Sequence, residues 1–243
     1  MHQRIERNIA LLFTTRIIRL FCYGSMSVVL ALYLSEIDLS EEQIGLLFSL
    51  TLVGDALISL WLTTSADRFG RKRTLILGAL LMTGAGVAFV ITRNYFLLVA
   101  ASIIGVISPS GNEIGPFLSV EQAGLTQIIS DAKRTQFFPW YNLAGSFATA
   151  TGALAGGWLA QWMRMIGWTQ LDSYRIVLIG YALGGVLLLF LFLNLTISVE
   201  AKTEQDATPR ILGLHRSRAV VFKLSSLFAL DAFAGALLVQ SLI

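Results

Sequence analysis

Ala66-Asp67-Arg68-Phe69-Gly70-Arg71-Lys72-Arg73 sets an acid, a glycine and four basic residues between two long apolar runs, 44–66 and 74–92. Each run is long enough to cross a hydrocarbon layer, which takes roughly 20 residues at 1.5 Å rise per residue. The stretch therefore reads as a tight polar turn joining two membrane-spanning helices. Gly70 permits the sharp reversal. Asp67 can pair with Arg71 or cap a helix N-terminus, where the macrodipole favours a negative group.

Outward from this turn the chain is apolar almost throughout. Of 243 residues 55% are hydrophobic and 14% charged, and the mean hydropathy is +0.71. Soluble domains carry about 45–50% apolar and about 25% charged residues, so a water-soluble core is excluded and the bilayer is the solvent. A single cysteine, Cys22, excludes a disulfide scaffold. Low charge together with 15 phenylalanines excludes disorder. Seven spans are predicted, at 17–35, 44–66, 74–92, 95–129 with an interruption, 138–163, 176–199 and 220–243. The fold class is an all-α polytopic membrane protein.

Charge alternates from loop to loop. Fifteen basic residues fall on one side, among them Arg4 and Arg7, Arg68 to Arg73, Lys133 and Arg134, and the group from Lys202 to Lys223. The other side holds Arg93, Arg164 and Arg175, and its first loop carries Glu36, Asp38, Glu41 and Glu42. Basic loops stay cytoplasmic, which places the N-terminus inside; the expected location is the plasma (inner) membrane. This placement absorbs the small net charge of +3 and removes any argument for nucleic acid. The basic start leads into a full-length span without a small-residue cleavage site, unlike a cleaved signal peptide. Helix seven ends in Gln240-Ser241-Leu242-Ile243 with no polar flank. The expected organisation is a six-helix lobe over 1–199, a cytoplasmic linker over 200–218, and the first helix of an incomplete second lobe over 219–243.

The loop resembles the signature G-x-x-x-D-R-x-G-R-[KR]-[KR] of the major facilitator superfamily, matched at Asp67, Arg68, Gly70, Arg71, Lys72 and Arg73. Thr63 stands where that family commonly has glycine, which predicts looser packing there. The resemblance implies the superfamily's N-terminal lobe and a secondary active transporter moving a small solute by alternating access, alone or with protons. It implies that Asp67 and Arg71 gate conformation against a helix of the second lobe, which is missing here. The expected partners are membrane lipid, a small-molecule substrate, protons and that second lobe; no cofactor and no metal site are expected. Gly152-Ala153-Leu154-Ala155-Gly156-Gly157 is similar to the G-P-x-x-G-G element of the family's drug/proton antiporters, with alanine replacing proline. Small-xxx-small packing through Ala148, Gly152 and Gly156 is the reading preferred over the antiporter one.

Ionisable groups at membrane depth cost at least about 2.5 kcal/mol on insertion scales and usually face a cavity or a partner. Helix four contains Ser108-Pro109-Ser110-Gly111-Asn112-Glu113-Ile114-Gly115-Pro116, then Glu121-Gln122. Prolines and glycines at this density break the hydrogen-bond ladder, and secondary transporters place their sites at such breaks. Glu113 is the first candidate proton carrier, Glu121 the second, with Asn112 and Gln122 beside them. The alternative is a proline-kinked packing helix whose glutamate bonds a neighbour. The resemblance places helices one, four and seven around the central cavity. The arginine that many members carry early in helix four is absent, with Ala101 near that place, which argues against sugar-phosphate and similar anion carriers.

Helix two shows a polar stripe of Thr51, Asp55 and Ser59; Asp55 is either a proton site or an interlobe hydrogen-bonding residue. Along one face of helix one lie Arg16, Arg19, Tyr23 and Ser27. Arg19 and Tyr23 are candidates for the transport path, though snorkelling of both arginines to the inner headgroups is the reading preferred. Asp231 of helix seven would face the cavity by analogy.

Two other classes compete. A retinal-binding seven-helix photoreceptor needs a lysine in mid-helix seven, but Lys223 lies at its foot and the orientation is opposite. A truncated, non-transporting remnant or scaffold fits the abrupt end. Enzyme readings lack support: His2 and His215 lie in terminal or linker positions, and no GxxxxGK[ST] run suggests ATP-driven pumping.

Overall fold

The computed structural model describes residues 2–105, 107–109, 111, 116–196, 199–200, 223, 226–227 and 230; at residues 2–4, 67, 68 and 132 it describes the helical backbone. Seven helices follow in chain order: α1 (His2–Glu36), α2 (Glu41–Phe69), α3 (Arg71–Ile91), α4 (Tyr95–Ile104), α5 (Phe117–Ile128), α6 (Asp131–Met165) and α7 (Gln170–Leu193). They form one unit, Met1–Ala201. In the second unit, Lys202–Ile243, Lys223, Ser226, Leu227 and Leu230 are helical and exposed.

Local chemistry sets the helix starts. Before α2, Ser40 accepts from the Gln43 amide at 3.3 Å while the Gln43 side chain accepts from the Ser40 amide at 3.0 Å, a reciprocal capping box. Asn94 caps α4 and Thr169 caps α7 in the same sense. α2 and α3 are separated by a single residue, Gly70, at φ 103°; a Cβ there would be strained, so the turn needs glycine.

Among the described residues, four helices are long and apolar enough to cross a membrane: Ile5–Glu36, Glu41–Ala66, Arg71–Ile91 and Gln170–Leu193. α6 has the length, but Gly, Ala, Thr and Ser dilute its apolarity. The fourth span predicted from the sequence is divided into α4 and α5, with residues 107–109, 111 and 116 non-helical between them. The basic segment ahead of the first predicted span is itself helical, since α1 begins at His2.

α1 is the central element, packed on α6 and α7, while α3 joins α7 and α4, and α2 leans on α4. Tyr23, Met26, Leu30 and Tyr33 of α1 are fully buried, and the Tyr33 hydroxyl donates to the Phe89 carbonyl of α3 at 2.5 Å. The α1–α6 contact is backbone to backbone. A Cβ on Gly152 would overlap the Phe21 carbonyl, and one on Gly156 would lie 2.6 Å from the Ser25 carbonyl oxygen. Without a hydrophobic driving force between helices in lipid, such close approach supplies the dispersion contacts that hold them. α2 instead presents Leu52, Val53, Leu57, Leu60 and Trp61 outward, a surface suited to lipid.

Candidate functional site

Among the described residues, the largest fully buried side chain is an arginine. Arg19 lies at 0% exposure, and so does Glu121, its partner on α5. Nη1 donates to Oε1 and Nη2 to Oε2, both at 2.8 Å, a two-pronged match of guanidinium to carboxylate. Tyr141 on α6 donates to Oε2 at 2.6 Å, and the Thr15 hydroxyl on α1 is shared between Oε1 at 3.1 Å and the Leu12 carbonyl at 3.0 Å. The carboxylate thus receives three full hydrogen bonds and part of a fourth. The Phe117 ring lies 4.5 Å below the Arg19 guanidinium and stacks on Phe192.

A turn away, Arg16 is also buried. Its guanidinium sits 4.2 Å over the Tyr141 ring and donates to the Asn142 side chain at 3.2 Å. The helical spacing of Thr15, Arg16 and Arg19 puts all three on the side of α1 that meets α5 and α6. Within the described cluster, two cations face one anion.

This geometry corrects the snorkelling reading of the two arginines. Arg19 is fully buried inside the helical unit and Arg16 nearly so, so neither side chain extends outward toward headgroups. A buried partner satisfies Arg19 instead.

A second cluster surrounds the Gly70 turn. Glu200, half-buried, accepts from the backbone amides of Arg71 at 2.7 Å and Lys72 at 3.2 Å, capping α3 at its positive end. The Arg71 side chain donates to Gln127 at 2.7 Å and to the carbonyls of Ala123 and Val199. Lys72 donates to the Leu193 and Leu195 carbonyls at the end of α7. Asn8 exchanges hydrogen bonds with Thr196 on the same end. Arg73 is exposed. The side chains of Asp67 and Arg68 lie outside the described residues. The acid that caps α3 in this arrangement is Glu200, which sequence reasoning missed; its signal was being the first carboxylate after the last apolar run of the lobe.

Comparison with known proteins agrees with this architecture. The family model described as Major Facilitator Superfamily matches residues 12–243. The chain belongs to the Major Facilitator Superfamily. It is also 37% identical over 179 residues to a protein of Saccharomyces cerevisiae described as an uncharacterized membrane protein. That match covers 73% of this chain and 40% of the relative, so the chain spans about two fifths of the relative's length. Membership in this superfamily makes the protein an integral membrane protein of a transporter family.

The other residues singled out in this superfamily chain are distributed unevenly. Asn112, Glu113 and Asp231 lie outside the described residues. Gln122 is half-buried beside Glu121 on α5. Asp55 is half-buried on α2 and accepts from Ser59 at 3.2 Å, one turn along the same helix, away from the Arg19 cluster. Tyr23 stacks on Tyr181 of α7 with centroids 6.2 Å apart, one turn beyond Arg19. Gly152 and Gly156 meet α1 backbone, whereas a Cβ on Gly157 would make ordinary contact with Val28 at 3.7 Å. Thr63, where the family pattern has glycine, shares a 2.8 Å hydrogen bond with Ser119 of α5; expected looseness is replaced by a polar bridge between α2 and α5. Among the described residues no group of three or more His, Cys, Asp or Glu gathers to hold a metal.

Proposed function

We propose that the chain supplies one lobe of a secondary transporter that moves a small solute by alternating access, with Glu121 as its proton carrier. The observation that carries this reading is the Arg19–Glu121 pair at the middle of α1, at 0% exposure on both sides. A dry ion pair is a weak source of stability, because desolvation offsets much of the Coulomb attraction. Its other use is as a switch: one proton on Glu121 cancels the attraction to Arg19 and frees the contact between α1 and α5. In this scheme Glu121 holds Arg19 when ionised and releases it when protonated, as the lobe changes partners. The Gly70 turn, clamped by Glu200 and by the end of α7, transmits that change along α3. Glu113 is a further coupling candidate, on the reading of the sequence. The charge asymmetry supports a cytoplasmic N-terminus.

The test is proton movement coupled to solute uptake in proteoliposomes of the full protein. Glu121→Gln is expected to remove proton coupling while solute exchange driven by its own gradient continues. Uptake still proton-driven in Glu121→Gln would reject Glu121, and Glu113→Gln examined in parallel would then be the variant to lose coupling.

A further inference from the structure

The two hydroxyls that meet Glu121 are not equivalent. Tyr141 on α6 donates to Oε2 at 2.6 Å, and among the described residues its hydroxyl has no other acceptor. Thr15, at 0% exposure on α1, has two acceptors for one hydrogen: Oε1 at 3.1 Å and the Leu12 carbonyl of its own helix at 3.0 Å. A hydroxyl carries one donor and two acceptor lone pairs. With its hydrogen turned wholly to Leu12, the Thr15 oxygen faces Oε1 as an acceptor. Tyr141 turned in the same way would strand its own hydrogen. Arg19, which engages both carboxylate oxygens at 2.8 Å, is a donor throughout, because a guanidinium has no acceptor. Among the described groups that touch Glu121, Thr15 is therefore the one that can receive a hydrogen bond from it.

We propose, resting on the reading of Glu121 as proton carrier, that the proton settles on Oε1 and that Thr15 positions it there. With Glu121 ionised, Thr15 lends part of its hydrogen to Oε1. When a proton arrives, the new O–H at Oε1 donates to the Thr15 oxygen and the Thr15 hydrogen turns to the Leu12 carbonyl. Tyr141 goes on donating to Oε2. One proton is taken up and one hydroxyl turns; no other covalent change is needed. A buried donor left without an acceptor carries its full desolvation cost. Thr15 removes that cost from the acid form, whereas Tyr141 steadies the carboxylate. The two hydroxyls thus oppose each other in setting the pH at which the carrier loads and releases its proton. The described charged or titratable groups facing Glu121 are Arg16 and Arg19 of α1 and Tyr141 of α6. α3 contributes Gly78 against Phe117, α7 contributes Phe192, and α2 meets α5 through Thr63 and Ser119; none of these titrates.

The experiment is an infrared pH titration of the full protein in lipid nanodiscs, with the proton itself as the probe. The carbonyl stretch of the protonated acid is assigned to Glu121 by its loss in Glu121→Gln. Tyr141→Phe takes a full donor from the carboxylate and should move the titration midpoint alkaline by about one to two pH units. Thr15→Val takes a shared donor from the ionised form, which keeps three full ones, but removes the acceptor of the protonated form. Its midpoint should therefore move acid, by at least about half a pH unit, and its carbonyl stretch should rise in frequency. Thr15→Ser, which keeps the hydroxyl, should retain the wild-type midpoint and frequency. The proposal is overturned if Thr15→Val leaves the midpoint in place or moves it alkaline as Tyr141→Phe does. A wild-type stretch at the frequency of a carboxyl whose O–H has no acceptor overturns it without any variant. In either case a titrating band lost in Glu121→Gln leaves Glu121 as proton carrier, so this idea can fail while that reading stands. Should Glu121→Gln remove no titrating band, the carrier reading falls and this proposal with it.

Discussion

The lobe contains two arginine–glutamate associations that differ in kind. At the Arg19–Glu121 site both groups are fully buried and their charges meet face to face through two 2.8 Å bonds. At the Gly70 turn the half-buried Glu200 engages backbone amides of α3, while the Arg71 side chain turns to Gln127 and to carbonyls. In the first site both charges are withdrawn from the surface and meet each other directly. In the second, charge is spread over helix ends and main-chain dipoles, and loss of any one contact leaves others. The same residue types therefore make a coupled pair in one place and a distributed clamp in the other.

The sharpest way to break the contrast is Arg19→Leu. It strands the Glu121 carboxylate in a dry site and should destabilise the protein by about 3–5 kcal/mol, read from thermal unfolding in detergent. The double variant Arg19→Leu/Glu121→Leu should recover most of that loss, because apolar replacement of a whole buried pair is often neutral. If the double variant is as unstable as the single, the two residues are not a coupled pair. Tyr141→Phe removes one hydroxyl donor from the carboxylate. The expected loss is about 1.5–3 kcal/mol, the range for a hydrogen bond to a charged group, and it should vanish in a Glu121→Gln background.

The clamp should respond more mildly. Glu200→Ala removes a cap and should cost about 1 kcal/mol, with faster amide exchange at Arg71 and Lys72 as its local signature. Raising salt to about 1 M, where screening acts within ~3 Å, should shrink the Glu200 effect and leave the Arg19 effect intact. Equal salt sensitivity at both sites would erase the distinction drawn here. The smallest change is expected from Thr63→Ala, about 0.5–1.5 kcal/mol for one neutral hydrogen bond to Ser119, detected as a small drop in midpoint temperature.

Much of the fold was legible because membrane helices announce themselves by length and apolarity. The Asp67–Arg73 loop and the proline- and glycine-rich break after α4 were visible for the same reason, as polar or helix-breaking interruptions in apolar runs. The partnership of Arg19 with Glu121 was not, since the two are separated by 102 positions and no local pattern ties α1 to α5. Read alone, a helix with arginines at 16 and 19 looks as though it leans toward headgroups. Tyr141 and Thr15 were silent because hydroxyls are common in membrane helices, and only three-dimensional convergence gives them a role. Glu200 escaped notice at the edge of a charged linker, where its place as the first carboxylate after an apolar run is a faint signal. Gly152 and Gly156 were visible as a small-residue stripe, but which helix they touch required the fold.

The separation of Arg19 from Glu121 also has a consequence for how the protein is made. A ribosome adding about 5–20 residues per second finishes α1 about 4–17 seconds before Glu121 is added. Through that interval α1 carries two arginines that the finished lobe buries, each disfavoured by about 2.5–3.5 kcal/mol at the centre of an inserting helix. The first helix of the chain thus carries a cost to settling in lipid by itself. It must linger beside the insertion machinery, or lie shallow in the bilayer, until the fifth helix arrives with its carboxylate. Variants that lose Glu121 would then fail first at biogenesis, as a shortage of inserted protein, before any defect in the mature lobe could be measured.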